Sequence, residues 1–89
     1  MANKFSIQRD ILFDERLSLG AKGLICMMMS LPPMVRFTVS GLSGDMPNSP
    51  EEIQKAMDEL VAAEYVDCNK YTDYRIAENI YTVNWTVAR

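Results

Sequence analysis

"NSPEEIQKAMDELVAAEY", residues 48–65, decides how this chain is read. Ser49, Pro50 and Glu52 form a specific helix-start signal: a capping hydroxyl, a proline at the first helical position, and a carboxylate placed to return to the cap amide. Ile53, Ala56, Met57 and Leu60 then recur at helical spacing and give the helix one apolar stripe. The opposite face carries Glu51, Lys55, Asp58 and Ala62. Between Ser49 and Glu64 there are five acids (Glu51, Glu52, Asp58, Glu59, Glu64) and one cation, Lys55, a local charge of −4. Part of this acidity is local helix chemistry. Glu52 completes the cap, Glu51 precedes Lys55 by four residues in the favourable orientation, and both suit the positive end of the helix dipole. Asp58 has no such explanation.

The segments on either side supply the partners for that stripe. In "RLSLGAKGLICMMMSLPP" (residues 16–33), Ser18 caps a helix on which Leu24, Ile25, Met28 and Leu31 share a face. Leu19, Ala21, Met27 and Met29 widen the apolar surface, so this is expected to be the most buried helix. Pro32 and Pro33 end it. "FTVSGLSGDM" (residues 37–46) reads as a short helix capped by Thr38, with Val39, Leu42 and Met46 turned inward. Ile53, Met57 and Leu60 are expected to pack on Leu24, Ile25 and Met28, with Leu42 closing the third side.

The remainder alternates, as strands do. "KFSIQRDIL" (residues 4–12) puts Phe5 and Ile7 on one face of a short strand. Val66 and Cys68 share a side of "YVDCNK", and Tyr81, Val83, Trp85 and Val87 share a side of "ENIYTVNWTV", with "YTDYRIA" (residues 71–77) as the loop of a β-hairpin. The order is β-α-α-α-β-β: a mostly α chain with a small β-hairpin (α+β), the order of a winged helix-turn-helix. Residues 1–89 read as a single domain.

Composition narrows the function classes. A net charge of −3 gives no global field toward nucleic acid or an anionic membrane. The chain has no histidine, the commonest general base and metal ligand, and its four glycines lack phosphate-loop spacing. Cys26 and Cys68, in apolar contexts without CxxC spacing, read as small buried hydrophobes. Consecutive side chains of the "CMMM" run (residues 26–29) point about 100° apart on a helix and do not converge on one ion. The longest apolar run is far below the ~20 residues of a membrane span. The expectation is a cytoplasmic protein that is not an enzyme, with no cofactor, metal, membrane segment or small-molecule substrate.

"RLSLGAKGLICMMMSLPPMVRFTVSGLS", followed by the Ile-x-x-x-Met-x-x-Leu helix running into "AAEYV", resembles the helix-turn-helix domains of phage and plasmid replication proteins. It is similar in particular to the N-terminal domains of DnaD-type replisome organisers, over roughly residues 5 to 87. The resemblance implies a winged helix, often dimeric, acting with DNA and other replication proteins where replication starts. On that reading the chain is either a small protein of its own or the N-terminal domain of a longer one. Pro50 to Glu64 then occupies the recognition-helix position and Asn69 to Ala77 the wing. Two departures accompany the match. Glu51 and Glu52 stand where such proteins often carry basic residues, and Glu64 precedes Tyr65 where they often carry glycine.

Two functions follow. The first is a DNA-binding module of replication initiation or of phage or plasmid maintenance. Its contact residues are Asn48, Ser49, Gln54 and Lys55 around the acidic helix, and Lys70, Tyr71, Tyr74 and Arg75 in the wing. Cations beside aromatic rings suit a groove edge or a base stack. Lys4, Arg9, Arg16 and Lys22 add scattered positive charge. The alternative is a protein-interaction or dimerisation module with little DNA affinity. Apolar surface on the hairpin in excess of what a small core absorbs favours a homodimer, through the N-terminal strand or the hairpin edge.

Overall fold

The computed structural model describes residues 9–70, with the backbone alone for Lys70, and residues 78–85. Four helices are followed by an antiparallel hairpin: α1 (Arg9–Leu12), α2 (Leu19–Met29), α3 (Val39–Asp45), α4 (Pro50–Ala62), β1 (Val66–Lys70) and β2 (Asn79–Val83). Among the described residues no helix is long and apolar enough to cross a membrane.

Three of the four helix starts use the oxygens expected of them. Ser18 Oγ accepts from the Ala21 amide at 3.2 Å and Thr38 Oγ1 from the Gly41 amide at 3.1 Å. On α4 the capping box closes in both directions. Ser49 Oγ accepts from the Glu52 amide at 3.2 Å, and Glu52 Oε1 accepts from the Ser49 amide at 3.1 Å. Each cap satisfies amides that the first helical turn leaves without partners.

α4 packs against α2, α3 and β1, and its stripe of Ile53, Ala56, Met57 and Leu60 is buried as expected. Leu24, Ile25 and Met28 meet it from α2, Leu42 from α3, and Tyr81 and Val83 from β2. Trp85 is half-buried against this core, while Val87 lies outside the described residues. The apolar surface of α2 is not buried all round, however. Leu19, at its first position, is 88% exposed and faces away from the core.

The first element differs from the sequence expectation. Residues 9–12 form a helical turn and not the end of a strand, and that turn buries Ile11 completely. Phe5 and Ile7 lie outside the described residues. A third strand-like contact comes instead from Phe37, between α2 and α3. Phe37 and Tyr81 exchange backbone hydrogen bonds at 2.9 and 2.8 Å. The cysteines also differ. Cys26 is half-buried and Cys68 is exposed, because β1 leaves the core after Val66.

α4 ends in a left-handed turn at Glu64, with φ 68°. The Glu64 amide donates to the Val61 carbonyl and the Tyr65 amide to the Leu60 carbonyl, both at 3.0 Å, the pairing of a Schellman motif. Glycine takes this conformation freely, whereas a residue with a Cβ pays about 1–2 kcal/mol. Glu64→Gly is therefore expected to stabilise the domain by about 0.5–1 kcal/mol, after subtracting the entropy that glycine adds to the unfolded chain. Thermal melting checks this, and a lower melting temperature in the variant would reject the strained-turn account.

Candidate nucleic-acid interface

The capping box and the apolar stripe together fix which side of α4 faces out. Glu51, Lys55, Asp58 and Ala62 are all exposed, as the helical wheel requires. Asn48 is exposed just ahead of the cap. Asn48 and Lys55 border one groove of about 280 Å³ between α4 and the start of α2, shared with Ser18, Gly20, Glu52 and Glu59. The structure thus brings two of the expected contact residues together, beside two carboxylates.

Two other expected contacts are committed within the fold. Ser49 is tied into the capping box. Gln54 donates from Nε2 to Asp58 Oδ1 at 2.9 Å and to the Tyr81 hydroxyl at 3.0 Å, pinning α4 to the hairpin. That bond also gives Asp58 its partner, which the sequence had left without one. Tyr71, Tyr74, Arg75 and the Lys70 side chain lie outside the described residues, so the wing contacts are placed by sequence alone.

The acids of α4 separate into roles that spacing did not reveal. Glu59 Oε1 accepts the Ser18 amide at 2.6 Å and so caps a helix 41 residues earlier. The Ser18 backbone N–H, then the Ser18 side chain and the charge of Lys55, hold its pKa below the ordinary glutamate value against a small opposing effect of burial. The expected Glu51–Lys55 ion pair is not formed. Among the described residues the one ion pair is Arg16 with Asp14, Nη2 to Oδ2 at 2.6 Å. Lys55 therefore keeps a free ammonium, with Glu59 acting on it one turn further along.

Two more carboxylates act as tethers. Asp14 accepts from Arg16 Nε, from the Arg16 amide and from the Tyr65 hydroxyl, the last at 2.8 Å. The Arg16 side chain, then its amide and Tyr65, hold Asp14 well below the usual carboxylate range. Burial, followed by the Asp14 hydrogen bond, pushes the Tyr65 phenol up. Glu78 accepts from the Ser40 hydroxyl at 2.7 Å and from the Ser40 amide at 3.3 Å, joining α3 to the hairpin. Of the scattered cations, Arg9 is exposed, Lys22 is half-buried, and Arg16 is engaged by Asp14 although its side chain is 62% exposed.

These tethers have a pH signature. Asp14 and Glu59 both have folded-state values below their unfolded ones, so the stability they add is present above about pH 4 and is lost as pH falls. Denaturant midpoints are expected to drop on acidification. The double variant Asp14→Asn, Glu59→Gln should begin lower at neutral pH and show a shallower drop. An undiminished acid drop in that variant would remove both groups from the account.

A second, largely apolar groove of about 410 Å³ lies between α2 and α3, bordered by Met27, Leu31, Val35, Phe37, Leu42 and Met46. Leu31 on its border is 40% exposed, and Met34, in the loop between α2 and α3, is 90% exposed. Sequence reasoning missed it because these residues come from two helices and the loop between them, with no common period. Against known proteins, no family model, no curated sequence and no solved structure matches this chain.

Proposed function

We propose that the domain is a winged helix-turn-helix that binds DNA weakly, in replication initiation or in phage or plasmid maintenance. The observation that carries this reading is the placement of Phe37. Phe37, an extended residue between α2 and α3, bonds Tyr81 on the returning strand and so fastens the hairpin to the helices α2, α3 and α4 as a wing beside a helix-turn-helix. The sequence resemblance to replisome-organiser domains supplies the biological setting. DNA contact falls to the wing, with Lys70 and Arg75, and to the exposed N-terminal cations, because α4 presents Glu51 and Asp58 beside a lone lysine. Phosphate neutralisation needs cations, and α4 supplies one.

One observation favours a second reading, a protein-interaction module on the same scaffold. The groove between α2 and α3, with Leu31 at its border, and the exposed Met34 in the loop between those helices offer apolar surface that a partner would bury. Titration of labelled duplex and single-stranded DNA at low and then raised salt separates the two. Binding that weakens as salt rises supports the first, and no binding at low salt leaves the second.

A further inference from the structure

We propose that β1 is a self-pairing edge, joining two copies of this chain through antiparallel β1–β1 association about a two-fold axis at Cys68. The argument starts from which backbone groups β2 leaves unused. Tyr81 directs both its amide and its carbonyl to Phe37, on the side of β2 away from β1. Its pair with Cys68 is therefore a non-hydrogen-bonded one, and alternation makes Asp67–Thr82 and Asn69–Ile80 the bonded pairs. The Asn84 amide donating to the Tyr65 carbonyl at 2.9 Å, two residues before Asp67, agrees with this phase. The amides and carbonyls of Val66, Cys68 and Lys70 thus point outward, away from β2. Among the described residues no other strand pairs with that edge.

Phase also restricts what can be added. Two copies can bond only where outward residues meet outward residues, so a symmetric axis must pass through one residue of the strand. An axis at Asp67 sets two carboxylates side by side, and an axis at Asn69 carries the pairing out of β1 into the hairpin loop. An axis at Cys68, the midpoint of Val66–Lys70, pairs all five residues. Val66 then stands opposite Lys70 of the second copy, and Asp67 opposite Asn69. Asp67 and Asn69 are exposed on the face away from the core, so each acid meets an amide and no like charges meet. The product is a continuous sheet of two hairpins, where one hairpin alone is marginal. This is what selects a second copy as the occupant: the strand is complementary to itself.

Asn69 reads the register without touching the monomer's core. Asn69→Asp places a carboxylate opposite Asp67 of the second copy, twice over in the dimer, and Asn69→Lys places a cation at each of those two positions. Sedimentation equilibrium of the full chain under reducing conditions is expected to show a dimer. Asn69→Asp should weaken it, and Asn69→Lys tighten it, by about two- to thirtyfold each, from two cross-strand charge pairs. Diamide oxidation is expected to trap the dimer through Cys68, because a bonded pair at about 5.5 Å between Cα atoms lies within the disulfide range. The trap should survive Cys26→Ala and vanish with Cys68→Ala. A monomer at every concentration overturns the proposal. So does a dimer indifferent to both Asn69 changes, or one that is not trapped through Cys68.

Discussion

Leu60→Ala is expected to cost about 2–5 kcal/mol, the range for deleting a large buried aliphatic side chain. Leu60 is fully buried on α4, in the same cluster as Met28 from α2 and Val66 from β1. It also sits at the join between helix and hairpin, since its carbonyl receives the Tyr65 amide that closes the helix. Domains of this size are stable by only about 5–15 kcal/mol, so the loss removes a large fraction of the total. Leu19 is the internal control. It is the same residue type but 88% exposed, and Leu19→Ala should change stability by no more than about 0.5 kcal/mol. Urea midpoints for the two variants decide the matter. Equal effects would mean that the apolar stripe of α4 does not face the core.

That contrast also marks where the sequence is informative. The stripe of α4, its capping box, and the caps at Ser18 and Thr38 were readable because each is a pattern within one turn or two. The exposure of Leu19 is not legible from spacing, because it is the first residue of α2, where a helical position need not lie under a neighbouring element. The helical turn at residues 9–12 is hidden for a different reason: two alternating residues, Phe5 and Ile7, are too short a sample to separate strand from turn. Glu64 stands where glycine is usual, but its left-handed φ follows from the Schellman closure, which spacing alone does not reveal.

The site was less legible than the fold. Glu59 with Ser18, Glu78 with Ser40, and Asp14 with Tyr65 join residues 41, 38 and 51 apart, and no local pattern announces such pairs. Their effect is to give much of the chain's acidity a structural role. Glu52 caps its own helix, Glu59 caps α2, and Asp58 holds the Gln54 amide that also bonds Tyr81. Glu51 is left as an exposed acid on α4 without such a task. The acidic helix is therefore largely an account of how α4 is fastened, and only in part a statement about what it meets.

Replacing Glu51 and Asp58 by lysine tests what α4 meets. Both are exposed on the face that carries Lys55, so the double variant converts a lone cation into three. If that face approaches DNA, duplex affinity rises and the slope of log affinity against log salt steepens by about 1.8, at ~0.9 for each of two new phosphate contacts. If α4 faces a protein partner or solvent, the gain is small and brings no change in slope of that size. Asp58→Asn is the needed control, because it keeps a side chain that Gln54 can bond while removing the charge. Under the proposed function the parent binds duplex weakly, with a dissociation constant of about 1–100 μM as for non-specific contacts. Arg75→Ala should then weaken binding more than Lys55→Ala, since Glu51, Glu52 and Glu59 surround Lys55 with negative charge that phosphates avoid. Tight, sequence-selective binding that is lost with Lys55→Ala and kept with Arg75→Ala would reverse the assignment and make the acidic helix the reader.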